Sequence, residues 1–198
     1  MTITNENDEA YANAAFINNS EEIVSEWTKK AEYFRVNKLE SGTAELDIPY
    51  GDSNRQKFDI FQPNTKPLGT VIFIHGGYWI DLDKSYWSHF ASGVLANGYR
   101  CVIPSYDLCP TVKISDITGQ IKNLVCYVLE KYDGMISLVG HSAGGHLVSR
   151  MISIDQWNIS KLRSDLLKRL HHVVAISPIA DLRPLLKTSM NNKFHLNQ

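Results

Sequence analysis

The chain has 198 residues, 43% hydrophobic and 21% charged, enough apolar content to bury one sizeable core, so a single domain over 1–198 is expected. A formal net charge of -1 gives no long-range field toward nucleic acid or anionic membranes, and small molecules are the expected partners. The three cysteines, Cys101, Cys109 and Cys126, are odd in number and lack C-x-x-C spacing; they read as buried small hydrophobes in a reducing compartment rather than a disulfide framework.

Met1 to Ala10 is polar and acidic, without the basic end and apolar stretch of a secretory leader, and suggests a cytoplasmic protein. From Ser20 to Arg35, the residues Ile23, Val24, Trp27, Ala31 and Phe34 recur at helical spacing. Glu21 and Glu22 fall in the first turn and Lys29 and Lys30 later, as the helix dipole favours. Thr43 to Ile48 and Lys57 to Phe61 alternate in strand fashion around the turn-rich Pro49-Tyr50-Gly51-Asp52-Ser53-Asn54, which predicts two antiparallel strands. Short apolar runs follow at Val71 to Ile74, Cys101 to Pro104, Met135 to Val139 and His172 to Ile176. They are strand length, far short of the ~20 residues that cross a bilayer, and read as buried parallel strands with helices on both faces. Helices are predicted near Tyr86 to Ala96, Ile114 to Glu130 and Gly145 to Ile154. In the second, Ile117, Ile121, Leu124, Val125 and Val128 share one stripe and belong to the core. Asp155 to Ser160 reads as a surface loop and Lys161 to Arg169 as an exposed helix face.

Ser142 stands in Gly140-His141-Ser142-Ala143-Gly144, between the strand Met135 to Val139 and the helix that follows. G-x-S-x-G at a strand-to-helix junction puts the serine on a sharp turn, where small neighbours permit strained backbone angles and the hydroxyl is pushed into the open above the sheet. Ser142 is therefore the candidate nucleophile, and the N–H of Ala143, at the start of the helix, is the expected oxyanion donor. Upstream, His75-Gly76-Gly77-Tyr78-Trp79 directly follows the strand Thr70 to Ile74. With no side chains in the way, the N–H groups of Gly76 and Gly77 can face a developing negative charge and supply the other half of an oxyanion hole. His75 reads as a brace for this loop, not a proton carrier, and His89 as surface or core. Tyr78 and Trp79 either wall an aromatic substrate or pack against the sheet; both readings stand. His141 and His146, and the adjacent His171 and His172, do not put two imidazoles on one helical face, so neither a metal nor another cofactor is expected.

The two motifs, read together as His75-Gly76-Gly77-Tyr78-Trp79 and Gly140-His141-Ser142-Ala143-Gly144-Gly145-His146-Leu147, resemble those of the kynurenine formamidases (arylformamidases) of the α/β-hydrolase superfamily and their esterase-like relatives. Further matches are Asp83-Lys84, Tyr106-Asp107-Leu108-Cys109-Pro110, Ser177-Pro178 and Asp181-Leu182-Arg183-Pro184-Leu185. Tyr78, where lipase-like enzymes carry a third glycine, favours the formamidase branch.

The resemblance implies an α/β-hydrolase fold, a mostly parallel sheet flanked by helices, and a Ser142 acyl-enzyme. The implied substrate is an aryl formamide such as N-formyl-kynurenine in tryptophan degradation; a small-ester carboxylesterase and a catalytically silent truncated hydrolase are the alternatives. In such enzymes the acid and then the histidine follow the serine, and the resemblance puts both beyond Gln198. The fold is accordingly expected to be C-terminally incomplete, with an exposed sheet edge that favours association with another chain, a homo-oligomer among the possibilities. Asp181 and His195 follow Ser142 in the right order and are the substitute pair. Asp181, however, falls by resemblance in the loop after the sixth strand and reads as a helix cap, and His195, close to Gln198, as a solvated residue.

Overall fold

In the computed structural model, which describes residues 6–153 and 167–197, the alternating apolar runs pair into one six-stranded sheet. Its strands are β1 (Ala44–Pro49), β2 (Lys57–Phe61), β3 (Gly69–Ile74), β4 (Arg100–Pro104), β5 (Met135–His141) and β6 (Leu170–Ile176), in the order β1-β2-β4-β3-β5-β6. β2 is antiparallel to both β1 and β4, while β4, β3, β5 and β6 run parallel. This is the α/β-hydrolase fold that the motifs led us to expect.

Side chains alternate across a strand, so each central strand feeds two cores. Ile72, Ile74, Val102, Ile136 and Leu138 pack under α4 (Ile114–Lys131), whose stripe of Ile117, Ile121, Leu124, Val125 and Val128 is wholly buried. On the opposite face Phe73, Cys101 and Ile103 pack with Trp87 and with Trp27 and Phe34 of α2 (Ser20–Glu40). A short α1 (Glu6–Ala10) precedes α2. Among the described residues no helix is long and apolar enough to cross a membrane. Among the described residues β6 pairs only with β5, and its Val174 and Ile176 are exposed.

Three elements depart from the expected boundaries. α2 runs past Arg35 to Glu40 and stops where Gly42, at φ 68°, donates to the Leu39 carbonyl and Thr43 to that of Lys38; a left-handed glycine is the usual terminator. In place of one helix over Tyr86 to Ala96 there are two 3₁₀ turns, Lys84–Tyr86 and Ser88–Phe90, and then α3 (Ala91–Ala96). The cause is long-range: the Arg35 guanidinium of α2 donates to the Ser85 carbonyl and to Ser88 Oγ, capturing a backbone acceptor that a continuous α-helix needs. α5 (Ala143–Arg150) starts two residues before the expected Gly145. It ends at Arg150, short of the expected Ile154, with Met151 as its C-cap; the loop Asp155 to Ser160 and most of the Lys161 to Arg169 face lie outside the described residues. Arg169 itself is not a solvated helix residue. Its guanidinium donates to the carbonyl of Leu129 in the last turn of α4 and to those of Tyr132 and Gly134 just past it, taking up acceptors that a helix end leaves free.

Candidate active site

At the end of β5 the chain turns through Ser142 into α5. Ser142 has φ 54° and ψ -115°, a combination that side-chain-bearing residues avoid and that persists only where surrounding bonds impose it. Here its N–H donates to the Ile176 carbonyl at 2.9 Å, and its own carbonyl accepts from His146 N at 3.1 Å and Ile179 N at 3.3 Å. Ser142 is half-buried, and its hydroxyl has no hydrogen-bond partner among the described residues.

The turn is possible because its flanks are bare. A Cβ on Gly144 would lie 2.1 Å from the Ile74 carbonyl oxygen and 2.5 Å from that of His75, and one on Gly76 would lie 3.1 Å from Ser142 Cβ. The serine turn and the loop after β3 are thus in direct contact, which brings Gly76, Gly77, Ser142 and Ala143 to one end of the sheet. Among the described residues the N–H groups of Gly76, Gly77 and Ala143 find no acceptor, the state required of donors kept for a developing charge.

The loop carries its own strain, with φ of 103° at Gly77, 50° at Tyr78 and 57° at Trp79. Buried His75 stacks on Tyr106, ring centroids 4.3 Å apart at 9°, and its Nδ1 meets the Gly76 carbonyl at 2.6 Å. Burial drives its pKa from 6.5 down to about 4, so at neutral pH it is an uncharged imidazole whose Nδ1–H braces the loop. His146 is likewise lowered to about 4, by burial and then by Arg150.

The two aromatic candidates separate. Tyr78 lines a cleft of about 720 Å³ with Gly77, Val24, Ile80 and Met190, and its hydroxyl donates to the Tyr11 carbonyl at 2.9 Å. Trp79 has no exposed surface; it lies edge-on to His146 and to Phe194 of α6 (Asn191–Phe194), as part of the core. Of the substitute triad pair, Asp181 is exposed and bound to Arg183, through a guanidinium contact at 2.8 Å and the Arg183 N–H at 2.9 Å. Those hydrogen bonds hold its carboxyl down at about 2. His195 is exposed beyond α6, on a separate cleft with Lys113, His146 and Leu182. Neither side chain hydrogen-bonds to Ser142 or to the other.

Sequence reasoning assigned no role to Tyr106, although it stands in a quoted motif, nor to the N-terminal stretch, where buried Asp8 accepts from Ser189 N at 2.6 Å and Tyr11 meets Tyr78. Their partners are remote in the chain and leave no periodic signal.

Residues 58–197, from β2 through both loops of the site, match the family model BD-FAE. The chain belongs to the BD-FAE family. It is 30% identical to a kynurenine formamidase of Salmo salar over 77% of its own length and 52% of the relative's, and 29% identical to one of Danio rerio over 82% and 58%. It therefore spans just over half the length of these curated relatives. Among solved structures, a Silicibacter sp. TM1040 protein with a provisional thioesterase assignment is 46% identical, covering 97% of this chain and 71% of that one with a TM-score of 0.89. Esterase B of Lactobacillus rhamnosis shares the fold of this BD-FAE chain at 23% identity, covering 75% of this chain and 53% of that one with a TM-score of 0.58.

Two outcomes follow from the geometry. Relief of the strained angles at position 142 makes Ser142→Gly about 1 kcal/mol more stable than Ser142→Ala in urea unfolding; equal stabilities would show that the turn is unstrained. For His75 and His146 the folded pKa lies below the unfolded 6.5, at about 4. The unfolded chain takes up protons first, so stability is full above pH 6.5 and falls as pH drops toward 4, by up to about 3 kcal/mol for His75. Thermal midpoints across this range will show the decline, shallower in His146→Leu; a flat profile would contradict it.

Proposed function

We propose that this chain carries the nucleophile and oxyanion hole of a serine hydrolase acting on an aryl formamide such as N-formyl-kynurenine. The observation that carries the reading is the Ser142 hydroxyl on a strained turn in contact with Gly76, flanked by the amides of Gly76, Gly77 and Ala143, all four without a partner among the described residues.

In this reading Ser142 Oγ attacks the formyl carbon as its proton passes to a base. The carbonyl oxygen takes up the negative charge and accepts hydrogen bonds from the three amides. Collapse of the tetrahedral intermediate breaks the C–N bond, and the aryl amine leaves with a proton. Water then attacks the formyl ester, which releases formate and restores the serine. The cleft beside Gly77 and Tyr78 supports an aromatic leaving group, and the relatives named kynurenine formamidase support a formamide. Trp79, being enclosed, is left out of the substrate wall.

A second reading has its own support. The solved structure at 46% identity carries a provisional thioesterase assignment, and an ester or thioester carbonyl suits the same nucleophile and donors. Either reaction needs a base. No imidazole among the described residues hydrogen-bonds to Ser142, and a serine site without its base retains only about 10³ to 10⁴ over water.

The test combines labelling and turnover on this chain. A fluorophosphonate probe is expected to label the wild type and not Ser142→Ala, and kcat/KM is expected to be higher for N-formyl-kynurenine than for p-nitrophenyl acetate or an acyl thioester. Faster ester or thioester turnover would favour the second reading; absence of Ser142-dependent labelling would identify a silent form of the hydrolase.

A further inference from the structure

One side chain outside the reacting groups holds both peptide units of the oxyanion loop. The Tyr106 ring is fully buried, and its hydroxyl donates to the His75 carbonyl at 2.9 Å and, as the longer branch of a shared bond, to the Gly76 carbonyl at 3.3 Å, which also meets His75 Nδ1 at 2.6 Å. A trans peptide is planar, with its C=O and N–H pointing in opposite directions. Fixing the carbonyl of His75 therefore aims the N–H of Gly76, and fixing the carbonyl of Gly76 aims the N–H of Gly77. The contact is also electronic, since a carbonyl that accepts a hydrogen bond makes the N–H across the same amide a stronger donor.

The loop needs such an anchor. It contains two glycines and runs through left-handed angles at Gly77, Tyr78 and Trp79, and two glycines in a row have little intrinsic preference for one peptide orientation. Tyr106 can serve because it is itself immobilised. Arg55 Nε donates to its carbonyl at 2.7 Å, Tyr50 donates to the Ser105 carbonyl at 2.6 Å, and the Asp107 N–H donates to Gln120 Oε1 at 2.9 Å. Asp107 Oδ2 also accepts from Gln120 Nε2 at 2.8 Å, and Ser53 Oγ donates to Oδ1 at 2.6 Å. The same segment grips the loop again downstream, where Cys109 N–H donates to the Trp79 carbonyl at 2.8 Å. Burial pushes the Tyr106 phenol pKa up, so the hydroxyl keeps the proton that it donates.

We propose that Tyr106 is the positioning residue of the oxyanion hole: its hydroxyl orients and polarises the two peptide units that present the Gly76 and Gly77 N–H groups. The proposal rests on the serine-hydrolase reading for its purpose, though not for its geometry.

Tyr106→Phe keeps the ring stacked on His75 and deletes only the hydroxyl. In the ¹⁵N-labelled full chain this substitution is expected to shift the Gly76 and Gly77 amide resonances and speed their hydrogen exchange, while amides of α4 keep theirs. Fluorophosphonate labelling of Ser142 is expected to slow about tenfold, the effect of one well-placed hydrogen bond. Replacing Tyr106 with 3-fluorotyrosine, whose hydroxyl is a stronger donor of nearly the same size, is expected to move both readouts the opposite way, and decides the matter if Tyr106→Phe does not fold. Unchanged Gly76 and Gly77 amides in both variants, or changes spread uniformly over the chain, would overturn the proposal. If the wild type does not label, the serine-hydrolase reading fails while the amide measurements still decide whether Tyr106 sets the loop.

Discussion

The site depends on the approach of Gly144 to the carbonyls of Ile74 and His75. No side chain fits there, since a Cβ would lie 2.1 Å from the first oxygen. Removing the side chain lets the start of α5 sit against the end of β3, and that contact sets the serine turn against the loop after β3. The parallel pairing of β3 with β5, in register from Gly69 opposite Met135 to Ile74 opposite Gly140, carries the two loops to the same end of the sheet. Sheet order and glycine placement together do what neither does alone.

Strain at the site is held by the core beneath it. Ser142, Tyr78 and Trp79 all have positive φ, and conformations of this kind cost of order 1–3 kcal/mol each. Each is fixed by groups that are buried or hydrogen-bonded. Trp79 is enclosed between His146 and Phe194, Tyr78 is tied to Tyr11, and Ser142 is bonded through its backbone to Ile176, His146 and Ile179. The backbone that carries the N–H groups of Gly76, Gly77 and Ala143 is therefore fixed by the fold itself, which is the condition under which fixed dipoles are most effective.

Much of this was legible in the sequence, and the reason is local. The strands announce themselves by short apolar runs, α4 by a stripe that the structure buries completely, and the serine turn by glycines whose spacing reflects a steric need. What escaped was set by partners distant along the chain. Arg35 breaks a helix at Ser85, Arg169 caps α4, Asp8 reaches Ser189, and Tyr106 reaches back to His75. Such contacts leave no periodicity to read. Trp79 was ambiguous for a related reason, since an aromatic side chain beside a loop has the same composition whether it faces inward or outward.

In the proposed chemistry Ser142 Oγ is the atom that bonds to an acyl carbon, and the amides of Gly76, Gly77 and Ala143 receive the charge. The most direct measurement is a crystal structure of the full chain after reaction with an aryl phosphonate. The expected result is a tetrahedral phosphorus on Ser142 Oγ, with its anionic oxygen at about 2.7–3.1 Å from those N–H donors. A phosphonate on another residue, or one on Ser142 whose oxygen points to solvent with the three amides bound elsewhere, would contradict it.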